Sequence, residues 1–172
     1  DSSDTKEIIN SVKSISKSFG GINLEDIKAP ECFVIENELK KLLDIPVFHD
    51  DQHGTAIITS AALINACDIA KKNIKDVKIV INGAGASAMA CANLFINSGV
   101  KDKNITMLDS KGVIHSERDN LNEWKKKFAI KTKNRTLNDA INGADVFLGL
   151  SQAGVLLSLI HISEPTRLRS IA

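Results

Sequence analysis

The stretch VKIVINGAGASAMACANLFINSG, residues 77–99, decides the fold. It opens with β-branched residues, turns at Gly83 and Gly85, and continues as an apolar helix that ends at Gly99. Glycine permits a tight turn and a close backbone approach to a pyrophosphate, and the small Ala88 allows the helix to pack closely. The stretch therefore predicts a strand, a phosphate-binding turn and a helix whose first N–H groups hold the phosphate.

The segment that follows supplies an acidic residue at the end of a second predicted strand. This strand runs from Asn104 to Leu108 and ends in Asp109, at about the 20-residue distance from the glycine turn that is expected of a ribose-binding acid. An acid favours a free ribose 2′-hydroxyl, whereas the nearby Lys111 can accommodate a 2′-phosphate. The pattern leans narrowly to NAD, leaves NADP open, and favours nucleotide binding over a purely structural glycine turn.

Two pairs of carboxylates form the second signal. Glu25 with Asp26, and Asp50 with Asp51, each follow a short apolar stretch that is predicted to be a strand. If the two strands are neighbours, both pairs lie at one rim of a sheet and form an oxygen-rich site for a hard cation such as Mg²⁺ or Mn²⁺. The alternative is that these acids are ordinary surface-loop residues, which their spacing alone favours.

Apolar residues at helical spacing predict helices over residues 5–18, 33–43 and 54–70. The third helix is apolar on most of its surface, so it is expected to be buried against a sheet. This helix is predicted to begin after His53, so His49 and His53 do not lie on one helix. Their i, i+4 spacing therefore does not indicate a zinc pair.

Composition limits the class of protein. The chain has 172 residues, enough for one ordinary domain, and its 22 basic and 21 acidic residues are interleaved, which argues against a nucleic-acid partner. Its 3 cysteines are widely spaced, a pattern that predicts neither a disulfide framework nor a zinc knuckle and fits a reducing cytoplasm. No uninterrupted apolar run of about 18 residues occurs, so no membrane span is predicted.

Longer stretches around these motifs carry a family resemblance. GINLEDIKAPECF at 21–33, DIPVFHDDQHGTA at 44–56, INGAGASAMA at 81–90 and LDSKGVI at 108–114 occur in this order and at these separations. They resemble the malic enzymes, closest to the compact bacterial form, over roughly residues 4–156. The carboxylate stretches are the more specific part, because long runs of residues around the acids match as well.

The resemblance implies an α/β fold with a Rossmann-like, doubly wound and mostly parallel sheet, preceded by a remnant of the N-terminal malic domain. It assigns residues 1–45 to the C-terminal part of that malic domain, which binds substrate and metal, and residues 46–156 to a truncated NAD(P)-binding domain. Residues 157–172 depart from the family and are interpreted as a non-native tail. In the intact protein we expect a cytoplasmic homo-oligomer with no membrane or nucleic-acid partner.

The resemblance also implies roles for individual residues. Glu25, Asp26 and Asp51 would bind the divalent metal, Mg²⁺ or Mn²⁺, and Asp50 would orient the catalytic lysine. The loop GLSQAG, residues 149–154, would border the nicotinamide of NAD or NADP. The residues assigned to the dinucleotide are Gly83, Gly85, Ala86, Ser87, Ala88, Asp109, Ser110, Lys111 and Ser151.

The implied reaction is the oxidative decarboxylation of malate to pyruvate and CO₂ with reduction of NAD(P), assisted by the divalent metal. The family also requires a lysine base and a tyrosine acid from a region upstream of these motifs, and the chain contains no tyrosine. We therefore expect a fragment that is inactive as it stands, because a placed acid or base contributes about 10²–10⁴-fold in rate. Two alternatives stay open: another nicotinamide-dependent dehydrogenase, and a non-catalytic dinucleotide-binding module.

Overall fold

Helices and strands alternate along the chain in the computed structural model, which describes residues 2–152, 154 and 155. The predicted non-native tail at 157–172 lies outside the described residues, and so does Ala153 of the loop predicted to border the nicotinamide. The described residues divide into two compact units. The first unit contains the described residues up to Asp76 together with Gly85–Lys101, and the second contains Val77–Ala84 together with the described residues from Asp102 onward.

The first unit combines helices with a small parallel sheet. In chain order its elements are α1 (Thr5–Ile15), β1 (Ile22–Leu24), α2 (Glu31–Leu42), β2 (Val47–His49), α3 (Asp50–Ile69) and α4 (Ala86–Asn97). Asp4 caps α1, because its carboxylate accepts hydrogen bonds from the N–H groups of Lys6 and Glu7. The helices predicted over 5–18 and 33–43 are confirmed, with small shifts at their ends.

The core of the first unit lies beside the pair of strands. β1 and β2 are parallel, with Ile22 opposite Val47 and Leu24 opposite His49. The apolar stripe of α1 packs against this region. The buried cluster consists of Leu24, Ile35, Leu39 and Val47, with Ile8, Ile9 and Val12 of α1 among the residues packed on it. This core combines residues from both sides of the predicted domain boundary at residue 45, and the extent of the malic domain stays a prediction.

The long helix α3 starts earlier than predicted. It begins at Asp50, directly after β2, with His49 in an extended conformation as its N-cap, so the predicted start at Gly54 is wrong. Asp50 and Asp51 occupy the first turn, where carboxylates interact favourably with the positive end of the helix dipole. This acidic turn allows the helix to begin without a separate loop.

One side of α3 is buried, and this helix packs against α4. Between the two helices, Thr59 Oγ1 donates a hydrogen bond to Cys91 Sγ at 3.3 Å. The buried residues of α3 recur about once per turn: Gln52, Ala56, Ser60, Leu63 and Cys67. This helix was expected to be buried against a sheet; it packs mainly with α4 instead, and its other side leaves Ile58 71% and Ile69 80% exposed. Neither α3 nor another helix in the described part of the chain is both long enough and apolar enough to cross a membrane.

The second unit is built on a mostly parallel sheet. In chain order its elements are β3 (Ile79–Asn82), β4 (Ile105–Asp109), β5 (Gly112–Val113), α5 (Glu123–Lys126), α6 (Leu137–Ile141) and β6 (Val146–Gly149). The strand order is β5-β4-β3-β6, with β3 parallel to β4 and β6, and β5 antiparallel to β4. Val80, Leu108, Val113 and Ala140 form its buried cluster. The two strands predicted around the glycine turn and the mostly parallel sheet are confirmed.

The two glycines of the turn differ in what they allow. Gly83 has a φ of +137°, a backbone conformation that residues with a side chain rarely adopt. A Cβ atom at this position would lie 2.5 Å from the Leu150 carbonyl oxygen. Gly85 has a φ of −89°, and nothing lies within 4 Å of the place that its Cβ atom would take. Gly83 is therefore required by the fold, whereas Gly85 leaves open space beside the backbone.

Replacing Gly83 with alanine is expected to destabilise the protein by roughly 2–5 kcal/mol, because the methyl group adds overlap with Leu150 to an unfavourable backbone conformation. Gly85→Ala is the matched control: it adds the same methyl group to open space at a helix N-cap and should cost no more than about 1 kcal/mol. Denaturant unfolding followed by circular dichroism measures both. Equal destabilisation by the two substitutions would contradict the close contact at Gly83.

Candidate functional site

The strand order of the second unit creates a crevice at one end of its sheet. From β3 the chain first forms β4 on one side and later β6 on the other. In open parallel sheets, ligands bind beside the carboxyl ends of the strands at such a topological switch point. A cleft of about 560 Å³ opens here, and its lining includes Asn82, Phe147, Gly149, Leu150, Ser151 and Gln152. Clefts of this size commonly hold small ligands and cofactors.

Asn82 ties β3 to the loop after β6. Its carbonyl oxygen accepts a hydrogen bond from the Leu150 N–H at 2.8 Å, and its side-chain amide donates to Ser151 Oγ at 2.8 Å. Towards β4, the Gly83 N–H donates to the Leu108 carbonyl oxygen at 2.9 Å. The loop that was predicted to border the nicotinamide is thus attached to the strand that precedes the glycine turn. Ser151 was among the predicted residues, whereas Asn82 was not, because its only signal in the sequence is its place directly before Gly83.

In the first unit, the glycine turn leads into the N-terminus of α4. Gly85 is the N-cap and has no side chain to cap the first N–H groups, and the Met89 N–H donates to the Gly85 carbonyl oxygen at 3.1 Å. Ala86 and Ser87 are half-buried, and Ala88 is fully buried. Uncapped N–H groups at the positive end of a 12-residue helix suit a phosphate. The predicted residues are in place, and their role in binding stays a prediction.

Asp109, the predicted ribose-binding acid, is surrounded by cations. Its side chain is 8% exposed; Arg118 approaches both oxygens, at 2.9 Å and 3.0 Å, and Lys125 Nζ lies 2.7 Å from Oδ2. The Lys111 N–H adds a hydrogen bond of 2.9 Å. Burial opposes ionisation, but the hydrogen bonds from Arg118 and Lys125 outweigh it and hold the pKa of Asp109 well below its ordinary value.

The surroundings of Asp109 combine predicted and unpredicted residues. Ser110 and Lys111, both assigned to the dinucleotide, are exposed in the turn between β4 and β5. Arg118 and Lys125 were not predicted as site residues, because they lie 9 and 16 residues after Asp109 and belong to no motif. Both oxygens of Asp109 are therefore engaged by its own chain, which was not foreseen for an acid expected to bind ribose.

Replacing Asp109 with asparagine is expected to cost roughly 2–4 kcal/mol of stability at pH 7, because two cations lose their anionic partner. The folded-state pKa lies below the unfolded value of about 3.9, so the carboxylate stabilises the fold above that pH. This contribution is lost as the pH falls through the folded-state pKa. Unfolding measured from pH 7 to about pH 2.5 should therefore depend less on pH in the variant than in the wild type.

The control for this experiment is Asp119→Asn, which changes an exposed carboxylate in the same part of the chain. It should leave both the stability and its pH dependence at wild-type values. If Asp109→Asn also retained the wild-type pH dependence, the stabilising role of the Asp109 carboxylate would be contradicted.

The two carboxylate pairs of the first unit follow strands that end at the same edge. Leu24 and His49 are opposite each other in β1 and β2, so the residues after them leave the sheet side by side. The Asp26 N–H donates to the Asp51 carboxylate at 2.8 Å, and Asp26 has a left-handed φ of 57°. Within residues 2–152, 154 and 155, however, no group of three or more His, Cys, Asp or Glu side chains is arranged to hold a metal.

Asp50 depends on a glycine one helical turn later. It is the first residue of α3 and is exposed. Its carboxylate lies over Gly54, in the place that a Cβ atom of that residue would occupy. The glycine, which was predicted to start the helix, instead leaves room for the Asp50 side chain. The orienting role of Asp50 stays a prediction.

His49 and His53 are placed differently from the prediction, since the early start of α3 puts them one helical turn apart. His49 is fully buried, and its ring nitrogens have no hydrogen-bond partner among the described residues. His53 Nε2 instead lies 2.7 Å from Oε1 of the buried Glu36, which Lys40 Nζ approaches to 2.8 Å. Glu36, which the sequence analysis missed, thus joins α2 to the first turn of α3.

The parallel sheet with its switch point and the glycine turn before a helix N-terminus make this a Rossmann-like α/β protein. The chain belongs to the malic enzyme family. The family model described as "Malic enzyme, NAD binding domain" matches residues 52–164, and the expected family resemblance is thereby confirmed.

Individual relatives agree with this assignment. The "Probable NADP-dependent malic enzyme" of Rickettsia prowazekii is 59% identical over 154 residues, which are 89% of this chain and 20% of the relative. The NADP-dependent malic enzyme of Halomonas elongata is 56% identical over 156 residues, 91% of this chain and 37% of the relative. The crystal structure of the NAD-dependent malic enzyme from Thermotoga maritima has a TM-score of 0.81 and 43% identity, and the match covers 88% of this chain and 41% of that chain. This chain thus spans about a fifth to two fifths of their lengths.

Proposed function

We propose that the protein to which this chain belongs catalyses the oxidative decarboxylation of malate to pyruvate and CO₂, with reduction of NAD or NADP and with Mg²⁺ or Mn²⁺ as the metal. Membership of the malic enzyme family supports this class of reaction. The observation that carries the proposal is the parallel pairing of β1 with β2, which brings Asp26 into hydrogen-bond contact with Asp51 at one edge.

Glu25, Asp26 and Asp51 would hold the metal. All three offer carboxylate oxygens, which Mg²⁺ and Mn²⁺ prefer to nitrogen or sulfur ligands. Glu25 and Asp26 are exposed, and the half-buried Asp51 is fixed by the hydrogen bond from the Asp26 N–H. The donor set therefore fits a hard cation in its chemistry. A cation bound there supplies Lewis-acid polarisation of the malate C2 oxygen, which assists both hydride transfer and loss of CO₂.

The other assigned residues of the chain would bind the dinucleotide or orient the catalytic lysine. Asp50 would orient the catalytic lysine of the whole protein, and Gly54 leaves room for the Asp50 side chain. The residues assigned to the dinucleotide would be Gly83, Gly85, Ala86, Ser87, Ala88, Ser110, Lys111 and Ser151, with Asp109 holding the cations near the ribose. Since the family's lysine base and tyrosine acid are not among the matched motifs, we expect no turnover from this chain alone.

The setting of Asp109 favours NADP as the dinucleotide. A ribose-binding acid needs free oxygens, whereas both oxygens of Asp109 are engaged by Arg118, Lys125 and the Lys111 N–H. The side chains of Arg118 and Lys125 together carry more positive charge than the one carboxylate of Asp109 neutralises. A 2′-phosphate is suited to such a cluster of cations. This weighs against the narrow preference for NAD that the sequence alone suggested.

Two broader alternatives are less well supported. Another kind of nicotinamide-dependent dehydrogenase would not require the two carboxylate pairs to end at one edge of a sheet. A non-catalytic dinucleotide-binding module agrees with the inactivity expected of this chain, and it would apply to the whole protein only if malate oxidation were absent there. The cytoplasmic location and the homo-oligomeric state of the intact protein remain proposals drawn from the family.

The metal assignment is tested with a Glu25→Ala, Asp51→Ala double variant. The wild-type chain should bind Mn²⁺ in a calorimetric titration, and the double variant should lose this binding while retaining binding of NADP, because the nucleotide residues are separate. The matched control is Glu31→Ala with Asp44→Ala, which removes two exposed carboxylates of the same unit. Loss of Mn²⁺ binding in the control as well would show that charge alone explains the result.

The same double variant, introduced into the whole protein, tests the reaction. Wild-type protein should convert malate to pyruvate and form reduced dinucleotide only when Mn²⁺ or Mg²⁺ is present, and the variant should lose this activity. Folded wild-type protein that binds NADP and Mn²⁺ but does not oxidise malate would overturn the proposed reaction.

The preference for NADP is tested with Lys125→Gln. Loss of one charge-assisted contact with the 2′-phosphate should weaken NADP binding by about 10-fold and leave NAD binding nearly unchanged. Lys126→Gln is the control, because Lys126 is exposed and adjacent in the chain. An equal loss for NAD and NADP would argue that Lys125 supports the fold of the site and does not select the cofactor.

A further inference from the structure

The side chain of Asn82 fixes the direction of a hydrogen bond inside the cleft. Its amide nitrogen donates to Ser151 Oγ at 2.8 Å, so the serine oxygen is the acceptor in this contact. A serine hydroxyl has one proton to donate in addition to its acceptor lone pairs. The Ser151 O–H group therefore points to another acceptor, and Ser151 is exposed in the lining of the cleft.

The position of the loop does not depend on this side-chain contact. The Leu150 N–H donates to the Asn82 carbonyl oxygen at 2.8 Å, a bond that any residue at position 82 can accept. The pairing of β6 with β3, which sets Gly149 opposite Asn82, fixes the start of the same loop. Backbone contacts thus place the loop without the Asn82 side chain. The contact of that side chain instead acts on the orientation of the Ser151 hydroxyl.

We propose that Asn82 is a positioning residue that makes Ser151 a hydrogen-bond donor toward an oxygen atom of the bound dinucleotide. The acceptor is either the carboxamide oxygen of the nicotinamide or a pyrophosphate oxygen, and both have the lone pairs that this geometry requires. The inference rests on the proposed nucleotide-binding function and goes beyond it by assigning a direction to one hydrogen bond and a role to Asn82.

The chemistry of asparagine makes the proposal testable with an isosteric change. The amide of Asn82 can donate a hydrogen bond, whereas an ionised carboxylate of the same shape can only accept one. In Asn82→Asp the Ser151 proton would turn toward position 82, and the cleft would lose its donor. The backbone contact with Leu150 would be unchanged, so the fold should be preserved.

The experiment compares Asn82→Asp, Ser151→Ala and the double variant by calorimetric titration with NADP. Each single variant should bind about 10-fold more weakly than the wild-type chain, and the double variant should bind no more weakly than Ser151→Ala. Lowering the pH toward about 4 should restore part of the affinity of Asn82→Asp relative to wild type, because protonation gives the carboxyl group a proton to donate. Repulsion between the new carboxylate and the phosphates of the ligand would persist in the double variant, so a loss there no larger than that of Ser151→Ala separates the orienting role from charge repulsion.

A second ligand identifies the acceptor. ADP-ribose 2′-phosphate keeps the pyrophosphate and lacks the nicotinamide. A loss confined to NADP assigns the nicotinamide carboxamide oxygen, and a loss with both ligands assigns a pyrophosphate oxygen. The control is Asn142→Asp, an exposed asparagine of the same unit, which should bind both ligands as the wild type does. Unfolding midpoints establish that each variant is folded.

Four outcomes would overturn the inference. Wild-type affinity in Asn82→Asp would show that the contact does not orient Ser151, and additive losses in the double variant would show that Asn82 meets the ligand independently. If Asn82→Asp proves unstable, Ser151→Ala decides, since unchanged affinity there removes the proposed donor. A folded wild-type chain that binds neither ligand would overturn the nucleotide-binding proposal as well, so the two failures are distinguishable.

Discussion

The carbonyl oxygen of Leu150 packs against Gly83 so closely that no side chain fits there. This contact follows from the pairing of β6 with β3, which continues to Asn82 opposite Gly149 and brings the next residue over the start of the turn. Because β4 lies on the other side of β3, the Gly83 N–H also reaches Leu108. A larger residue at position 83 would push the loop away from the strand and remove the wall of the cleft that Ser151 shares with Asn82. The geometry of the candidate nucleotide site thus depends on the absence of a side chain at position 83.

Two candidate sites use their acidic residues in opposite settings: Asp109 in the second unit, and Glu25 with Asp26 in the first. Asp109 is almost buried, so its charge is expensive unless it is paired, and Arg118 with Lys125 supplies that compensation. Glu25 and Asp26 are exposed, so water solvates their charges and they need no partner in the chain. The first setting uses a carboxylate to organise cations, and the second keeps carboxylate oxygens accessible to a hard cation. The difference comes from burial and not from residue type.

The sequence predicts the parts of this structure that have local signals. The strand before Gly83 and the helix after it follow from periodicity and turn chemistry, and the two carboxylate pairs were expected at one edge because each follows a short apolar strand. The start of α3 at Asp50 was missed, because a glycine at position 54 suggested a beginning whereas it makes room for the Asp50 side chain. Asn82 and Arg118 were missed for another reason: their partners lie 69 and 9 residues away, and such contacts have no period or motif to reveal them.

The buried carboxylate of Glu36 limits how this sequence can change over time. It is held by Lys40 on its own helix and by His53, 17 residues later, on the next helix. Removing either partner leaves a buried charge less well compensated, at a cost of about 1–3 kcal/mol, and removing Glu36 leaves both partners without their acceptor. Substitutions at these positions are therefore tolerated best when they occur together. In evolutionary terms, we expect α2 and the first turn of α3 to change together, since a lineage that alters one partner first would pass through a less stable intermediate.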